Sequence, residues 1–239
     1  MKKTHLRVSF TVDVEQDCPP FMDTFHGISV GLPLLLAFLA EEGIRGTFFI
    51  TGQVAREHPH APESILRGGH VLGCHGDSHR SFRLLTRSEA QMELDRATRA
   101  LRTFGVLQAF RAPYLDLPEK YLSLLPEFDL AWDSSLGRYK IAHWRALMRR
   151  TETQGLRRIP VSLTSSALRL PPSLVVGLLK SLNDPVVLFV HPWEFVDLRY
   201  TRLRWDCRFQ TGPQALVGLH LAIDVLRSQS ADFLPLTSL

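Results

Sequence analysis

The chain has 239 residues, 45% of them hydrophobic. That is enough to bury a full core, and the length demands no division, so one domain over residues 1–239 is expected. Its 28 basic and 24 acidic residues leave a net charge of +4 with no long Lys/Arg run, which argues against a nucleic-acid partner.

Cys18, Cys74 and Cys207 are far apart, odd in number and without a Cys-x-x-Cys pair. They suggest neither a disulfide framework nor a thiolate zinc site, and a reducing compartment fits them. No apolar run approaches the roughly 18 residues of a membrane span, and Met1 to Val12 holds no leader-like apolar core. The expected location is cytoplasmic, with no transmembrane segment.

Apolar runs of strand length alternate with helical patterns along the chain. Strands are predicted at residues 6–13, 46–51, 70–75, 107–111, 129–134, 157–162, 186–191 and 232–236. Leu32, Leu35, Leu36 and Leu39 recur at helical spacing before Gly43, and the segment 87–104 carries Met92, Leu94, Ala97, Ala100, Leu101 and Phe104. Thr86 and Glu89 form a capping-box pattern, and Thr211-Gly212-Pro213-Gln214 opens a last helix with a second one. This alternation indicates an α/β fold wound around a largely parallel sheet.

The polar residues of interest gather where strands end. Asp13, His75, Arg111, Asp133 and His191 all fall there, and parallel α/β folds place their sites at the carboxyl ends of strands. In Cys74-His75-Gly76-Asp77-Ser78-His79, two imidazoles four residues apart can share one metal ion. A catalytic zinc site takes three protein ligands and leaves a fourth position for water. Asp13 and Glu15 alternate onto one side of a strand, so one can hold the metal while the other takes a proton. Asp17 is a further candidate ligand, and Asp77 reads equally well as a turn residue.

Arg111, stiffened by Pro113, can project toward Asp13 and fix its orientation. His191 suits a general acid because imidazole titrates near neutrality. Phe82 and Trp193 adjoin site residues and are candidates for stacking on a ligand's ring, although aromatics at strand ends more often belong to the core. Residues 199–208 carry four arginines, a hint of a phosphate-bearing substrate against the plainer reading of a solvated loop.

This ordered set resembles the NodB-homology polysaccharide deacetylases, carbohydrate esterase family 4, over roughly residues 8–195. Thr11-Val12-Asp13-Val14-Glu15 stands where the family usually has Thr-Phe-Asp-Asp-Gly. His75-Gly76-Asp77-Ser78-His79 parallels His-Ser/Thr-x-x-His, Arg111 to Tyr114 is an intact Arg-x-Pro-Tyr, and Leu188 to His191 matches the terminal Leu-x-His with one extra residue. Trp132-Asp133 stands near the family's fourth motif in reversed order.

The resemblance implies a distorted, incomplete (β/α) barrel of the NodB-homology type. It implies Asp13 as base, tuned by Arg111, with His191 as acid and Asp133 as a tuning residue. His75 and His79 become ligands of a divalent metal, zinc being expected and cobalt, nickel or iron alternatives. Val14 cannot bind metal, so the third ligand is assigned to Glu15, as in members with an Asp-x-Glu pattern. The Tyr114 backbone N–H would face the oxyanion.

The expected activity is hydrolysis of an N-acetyl amide on a sugar or glycoconjugate. The alternatives are a non-sugar amide hydrolase on the same site and a degenerate glycan-binding relative.

Overall fold

The run Leu6–Val14 is buried along nearly its whole length on both faces, as a strand at the middle of a parallel sheet must be. In this computed structural model, which describes residues 5–147, 152–153 and 155–239, it forms β1. The other strands are β2 (Thr47–Ile50), β3 (Val71–Cys74), β4 (Ala109–Phe110), β5 (Trp132–Asp133), β6 (Glu152–Thr153), β7 (Leu156–Arg158), β8 (Val186–Val190) and β9 (Ala231–Phe233). The sheet order is β6-β7-β5-β4-β3-β2-β1-β8, and β9 pairs with the start of β1. Every pairing is parallel except β6 with β7. With helices packed outside the curled sheet, the fold is a distorted, incomplete (β/α) barrel.

Each strand foreseen in the sequence exists, and several are shorter than their apolar runs. β4 and β5 keep two residues each. Val161 meets Gly137 only as an isolated bridge beyond β7. The β6–β7 hairpin and the helices Gly52–Glu57, His60–Arg67 and Pro172–Lys180 were not predicted.

The helix Arg87–Arg102 opens on the predicted capping box. Thr86 Oγ1 accepts the Glu89 N–H at 3.3 Å, and the Glu89 carboxylate accepts the Thr86 N–H at 2.8 Å. The second predicted box does not form. Thr211 Oγ1 instead accepts the Leu198 N–H and donates to the Arg208 carbonyl, while Gly212, at φ 72°, caps the helix Pro213–Ser228.

Cys18 and Cys207 are joined as a disulfide across 189 residues of sequence, contrary to the expectation from cysteine spacing. The fold brings the loop after β1 against the segment Trp205–Arg208, and no local pattern announces a contact so distant. Cysteine usage therefore no longer speaks for a reducing compartment. No helix among the described residues is long and apolar enough to cross a membrane.

The loop after β1 reaches the loop after β8 through a π-helical turn, Gly27–Gly31, seated on Pro192 and Trp193. A Cβ on Gly31 would stand 1.9 Å from the Pro192 carbonyl oxygen, so only glycine fits this approach. Asp17 holds the turn. Its carboxylate accepts hydrogen bonds from Thr24 Oγ1 and from the backbone N–H groups of His26 and Gly27, at 2.7–2.8 Å.

Candidate active site

β1 delivers Asp13 and Glu15 to the end of the sheet. β3 is followed directly by His75, β4 by Arg111 and β8 by His191. These residues line one cavity of about 560 Å³ together with His79 and Tyr114, except Arg111, which lies beneath the wall with no exposed surface. Convergence follows from parallel neighbours ending at the same edge of the sheet.

Glu15 Oε2 lies 3.0 Å from His75 Nε2 and 2.6 Å from His79 Nε2, and the ligand atoms of the three buried residues all fall within 4.8 Å of one another. His75 Nδ1 donates to the Arg111 carbonyl at 2.7 Å, so Nε2 carries the lone pair directed at this cluster. Two imidazole nitrogens and a carboxylate oxygen suit a divalent transition metal with open positions.

Burial opposes ionisation of Glu15, but the charges and hydrogen bonds of His79 and His75, with His191 behind, hold its carboxyl well below the usual range. Asp17 is committed to the turn described above and does not join the cluster. Asp77 accepts from Arg56 at 2.6 Å, and Glu93 accepts the N–H groups of Asp77 and Ser78 at 2.9 and 3.0 Å. Both carboxylates shape the turn between the histidines.

Arg111 Nη1 donates to Asp13 Oδ1 at 2.6 Å. The rest of the guanidinium is held by the Ser134 carbonyl and hydroxyl, and its flat face lies over the Phe49 ring at 4.3 Å. The expected Arg–Asp pair is therefore present and rigid.

Asp133 is not a tuning residue of the cavity histidines. One of its oxygens pairs with Arg158 Nε at 2.9 Å and the other accepts the Ser135 N–H and hydroxyl. Ser135 Oγ in turn accepts the Ala112 N–H at 2.8 Å. Asp133 thus braces the Arg-x-Pro-Tyr turn from below.

The carboxylate beside His191 is Glu194. Its Oε1 accepts from His191 Nδ1 at 2.7 Å and from the His191 backbone N–H at 2.9 Å. Its Oε2 lies 2.9 Å from Arg169 Nε, an ion pair rather than an aligned hydrogen bond. Burial works against the charged imidazole, but Glu194, then Glu15 and Asp13, raise the His191 pKa overall. His191 Nε2 points back toward Glu15 Oε1, 3.7 Å away. Glu194 was visible in the sequence as a carboxylate three residues after His191; Arg169 carried no local signal.

Residues 9–131 match the polysaccharide deacetylase family. The chain belongs to that family. A chitin deacetylase of Cryptococcus neoformans var. grubii is 30% identical over 106 residues, which are 44% of this chain and 23% of that protein. The match thus spans about a quarter of the relative's length.

Solved structures share the fold, among them the following two. One, described as a polysaccharide deacetylase from Mycobacterium smegmatis, has a TM-score of 0.75 at 23% identity, covering 99% of this chain and 89% of its own. The other, a family 4 carbohydrate esterase pseudoenzyme from Bacillus anthracis, has a TM-score of 0.68 at 14% identity, covering 99% and 66%.

Against the deacetylase pattern, Val14 is fully buried in the core and Glu15 supplies the second carboxylate of the first motif. Phe82 is a core residue, edge-on to Phe110 with no exposed surface, and is not available to a sugar. Trp193 lines the cavity at 6% exposure with its ring stacked on His191.

The arginines of 199–208 are largely engaged within the protein. Arg199 pairs with Asp197 and Arg204 with Asp206, and Arg208 donates to the carbonyls of Leu203 and Arg199. Of the four, Arg204 lines the cavity.

Proposed function

We propose that this deacetylase hydrolyses the N-acetyl amide of an amino sugar in a glycan or glycoconjugate, with a divalent metal held by Glu15, His75 and His79. The observation that carries the reading is the Glu15–His75–His79 cluster opening on the same cavity as the Arg111-fixed carboxylate of Asp13. When bound there, the ion would act as a Lewis acid and make a water molecule easier to deprotonate, zinc suiting this donor set and cobalt, nickel or iron being tolerated.

Asp13 takes a proton from the attacking water, with Arg111 locking the carboxylate in place. The water oxygen bonds to the acetyl carbon, and the resulting oxyanion is met by the Tyr114 backbone N–H. His191, whose Nδ1–H is anchored on Glu194, gives its Nε2 proton to the departing nitrogen. The C–N bond breaks, leaving acetate and a free amine. Residues 1–239 act together as one catalytic domain in this reading. A phosphate on the substrate draws little support from arginines already paired with Asp197 and Asp206.

Acetate release from N-acetylglucosamine oligomers, measured with zinc or cobalt supplied and again after chelation, tests the reading. Metal-dependent acetate release supports it. Hydrolysis confined to small non-sugar amides would transfer the site to another substrate, and glycan binding without hydrolysis would make the chain a degenerate relative.

Glu194→Gln probes the His191 anchor. Loss of a carboxylate that orients the acid is expected to lower turnover by about 10²-fold, at the lower end of what a positioned acid contributes, with metal content unchanged. Wild-type turnover in that variant would remove Glu194 from the account.

A further inference from the structure

Tyr114 and Leu115 are consecutive non-glycine residues with positive φ, 61° and 51°. Bulky side chains disfavour this left-handed conformation, and it persists only where the surroundings enforce it. Within the turn, Leu115 N–H reaches the Ala112 carbonyl at 3.0 Å and the buried Leu115 side chain packs beneath. The flanks are tied as well: Ala112 to Ser135, and Asp116 by both oxygens to Arg83 at 2.6 and 2.7 Å. Neither tie touches the two left-handed residues.

Among the described residues, one side chain hydrogen-bonds to their carbonyls. Lys140 Nζ donates to the Tyr114 carbonyl at 2.5 Å and, at the limit of a hydrogen bond, lies 3.5 Å from the Leu115 carbonyl. The segment carrying Lys140 is itself built as a rigid mount. Gly137 bridges Val161, Arg138 N–H donates to the Val161 carbonyl at 2.9 Å, Gly137 N–H donates to His143 Nδ1 at 2.9 Å, and Lys140 N–H returns to the Gly137 carbonyl at 3.1 Å. Lys140 also lines the cavity. An ammonium has three donors in a flexible fan, so it can hold two adjacent carbonyls that a single-donor side chain could not.

We propose that Lys140 is a positioning residue for the oxyanion turn: by gripping the Tyr114 and Leu115 carbonyls it fixes the left-handed pair and thereby aims the Tyr114 N–H. The inference rests on the reaction proposed above. Because the turn is strained, removing the grip lets it relax toward ordinary backbone angles, and an oxyanion donor displaced by a fraction of an ångström loses much of its effect.

Lys140→Met keeps the length and apolar stem and removes the donors; Lys140→Arg keeps a multidentate cation. With metal-loaded protein, Lys140→Met should lower kcat for acetate release by about 10–100-fold, less than the roughly 10²–10³-fold of deleting an oxyanion donor outright. KM and Tm should stay close to wild type, and Lys140→Arg should recover most of the loss. Amide hydrogen exchange at Leu115 and Asp116, whose N–H groups are bonded to the Ala112 and Pro113 carbonyls, should rise at least about tenfold in Lys140→Met while β3 remains protected.

Unchanged kcat or unchanged exchange in that variant overturns the proposal, as does a loss carried by KM or by a collapse in Tm. If wild type releases no acetate from any substrate, the deacetylase reading fails by itself, and the exchange measurement still decides whether Lys140 holds the turn.

Discussion

Asp13→Asn is expected to fold, to bind metal as wild type does, and to lose acetate release by about 10²–10⁴-fold, the contribution of a positioned general base. Asparagine preserves the shape of the side chain and keeps an oxygen for Arg111 Nη1, now at 2.6 Å from Asp13 Oδ1. The metal cluster draws on Glu15, His75 and His79 and not on Asp13, so the ligand set survives the substitution. What disappears is a basic lone pair beside the attacking water. Circular dichroism, bound metal and initial rate measured on one preparation check the result. Loss of metal together with activity would make Asp13 a ligand; retained activity would remove it from the chemistry.

The second large effect falls on stability. Arg111 has no exposed surface, and its guanidinium is committed to Asp13, to the Ser134 carbonyl and hydroxyl, and to the face of Phe49. Arg111→Met fills similar space but leaves the buried Asp13 carboxylate without its cation. Breaking a buried ion pair from one side costs about 3–5 kcal/mol, which for a chain of this length lowers Tm by roughly 6–20 °C. Thermal unfolding of the two proteins measures it. Asp13→Asn/Arg111→Met should recover part of the loss, because the uncompensated charge is then gone. A Tm within 2 °C or so of wild type would mean that Asp13 finds water or another donor and that the pair is not structurally important.

The places of the strands along the chain and the site residues that directly follow them were legible because both depend on short-range pattern. An apolar run such as Val186–Val190 is strand-like wherever it occurs, and a polar residue directly after it, His191, inherits its place at the sheet edge. Glu15 and His75 directly follow strands and His79 follows His75 by four residues, while the choice of Glu15 over Asp17 as their partner came from the family resemblance.

What escaped depends on partners far apart in sequence. Cys18 and Cys207 meet only after the sheet has closed. Asp133 occupies a strand end like the others, yet Arg158 on the neighbouring β7 claims it, and that competition is invisible along the chain. Thr211 shows the same effect on a local motif. Its capping pattern was sound, but Leu198 N–H captured the hydroxyl and Gly212 took the helix start. Glu194 was within reach of pattern alone, being three residues after His191; its importance emerges only from Arg169 behind it.

The central claim is that Glu15, His75 and His79 form a catalytic metal centre for amide hydrolysis. The most direct measurement is bound divalent metal in wild type and Glu15→Ala after equilibration with limiting zinc, read by elemental analysis beside acetate release from N-acetylglucosamine oligomers. The account predicts about one equivalent of metal and measurable acetate release for wild type, and loss of both in Glu15→Ala, since two imidazoles alone fall short of the three protein ligands of a catalytic zinc site. Wild type free of metal, or Glu15→Ala that binds metal and turns over like wild type, would contradict it.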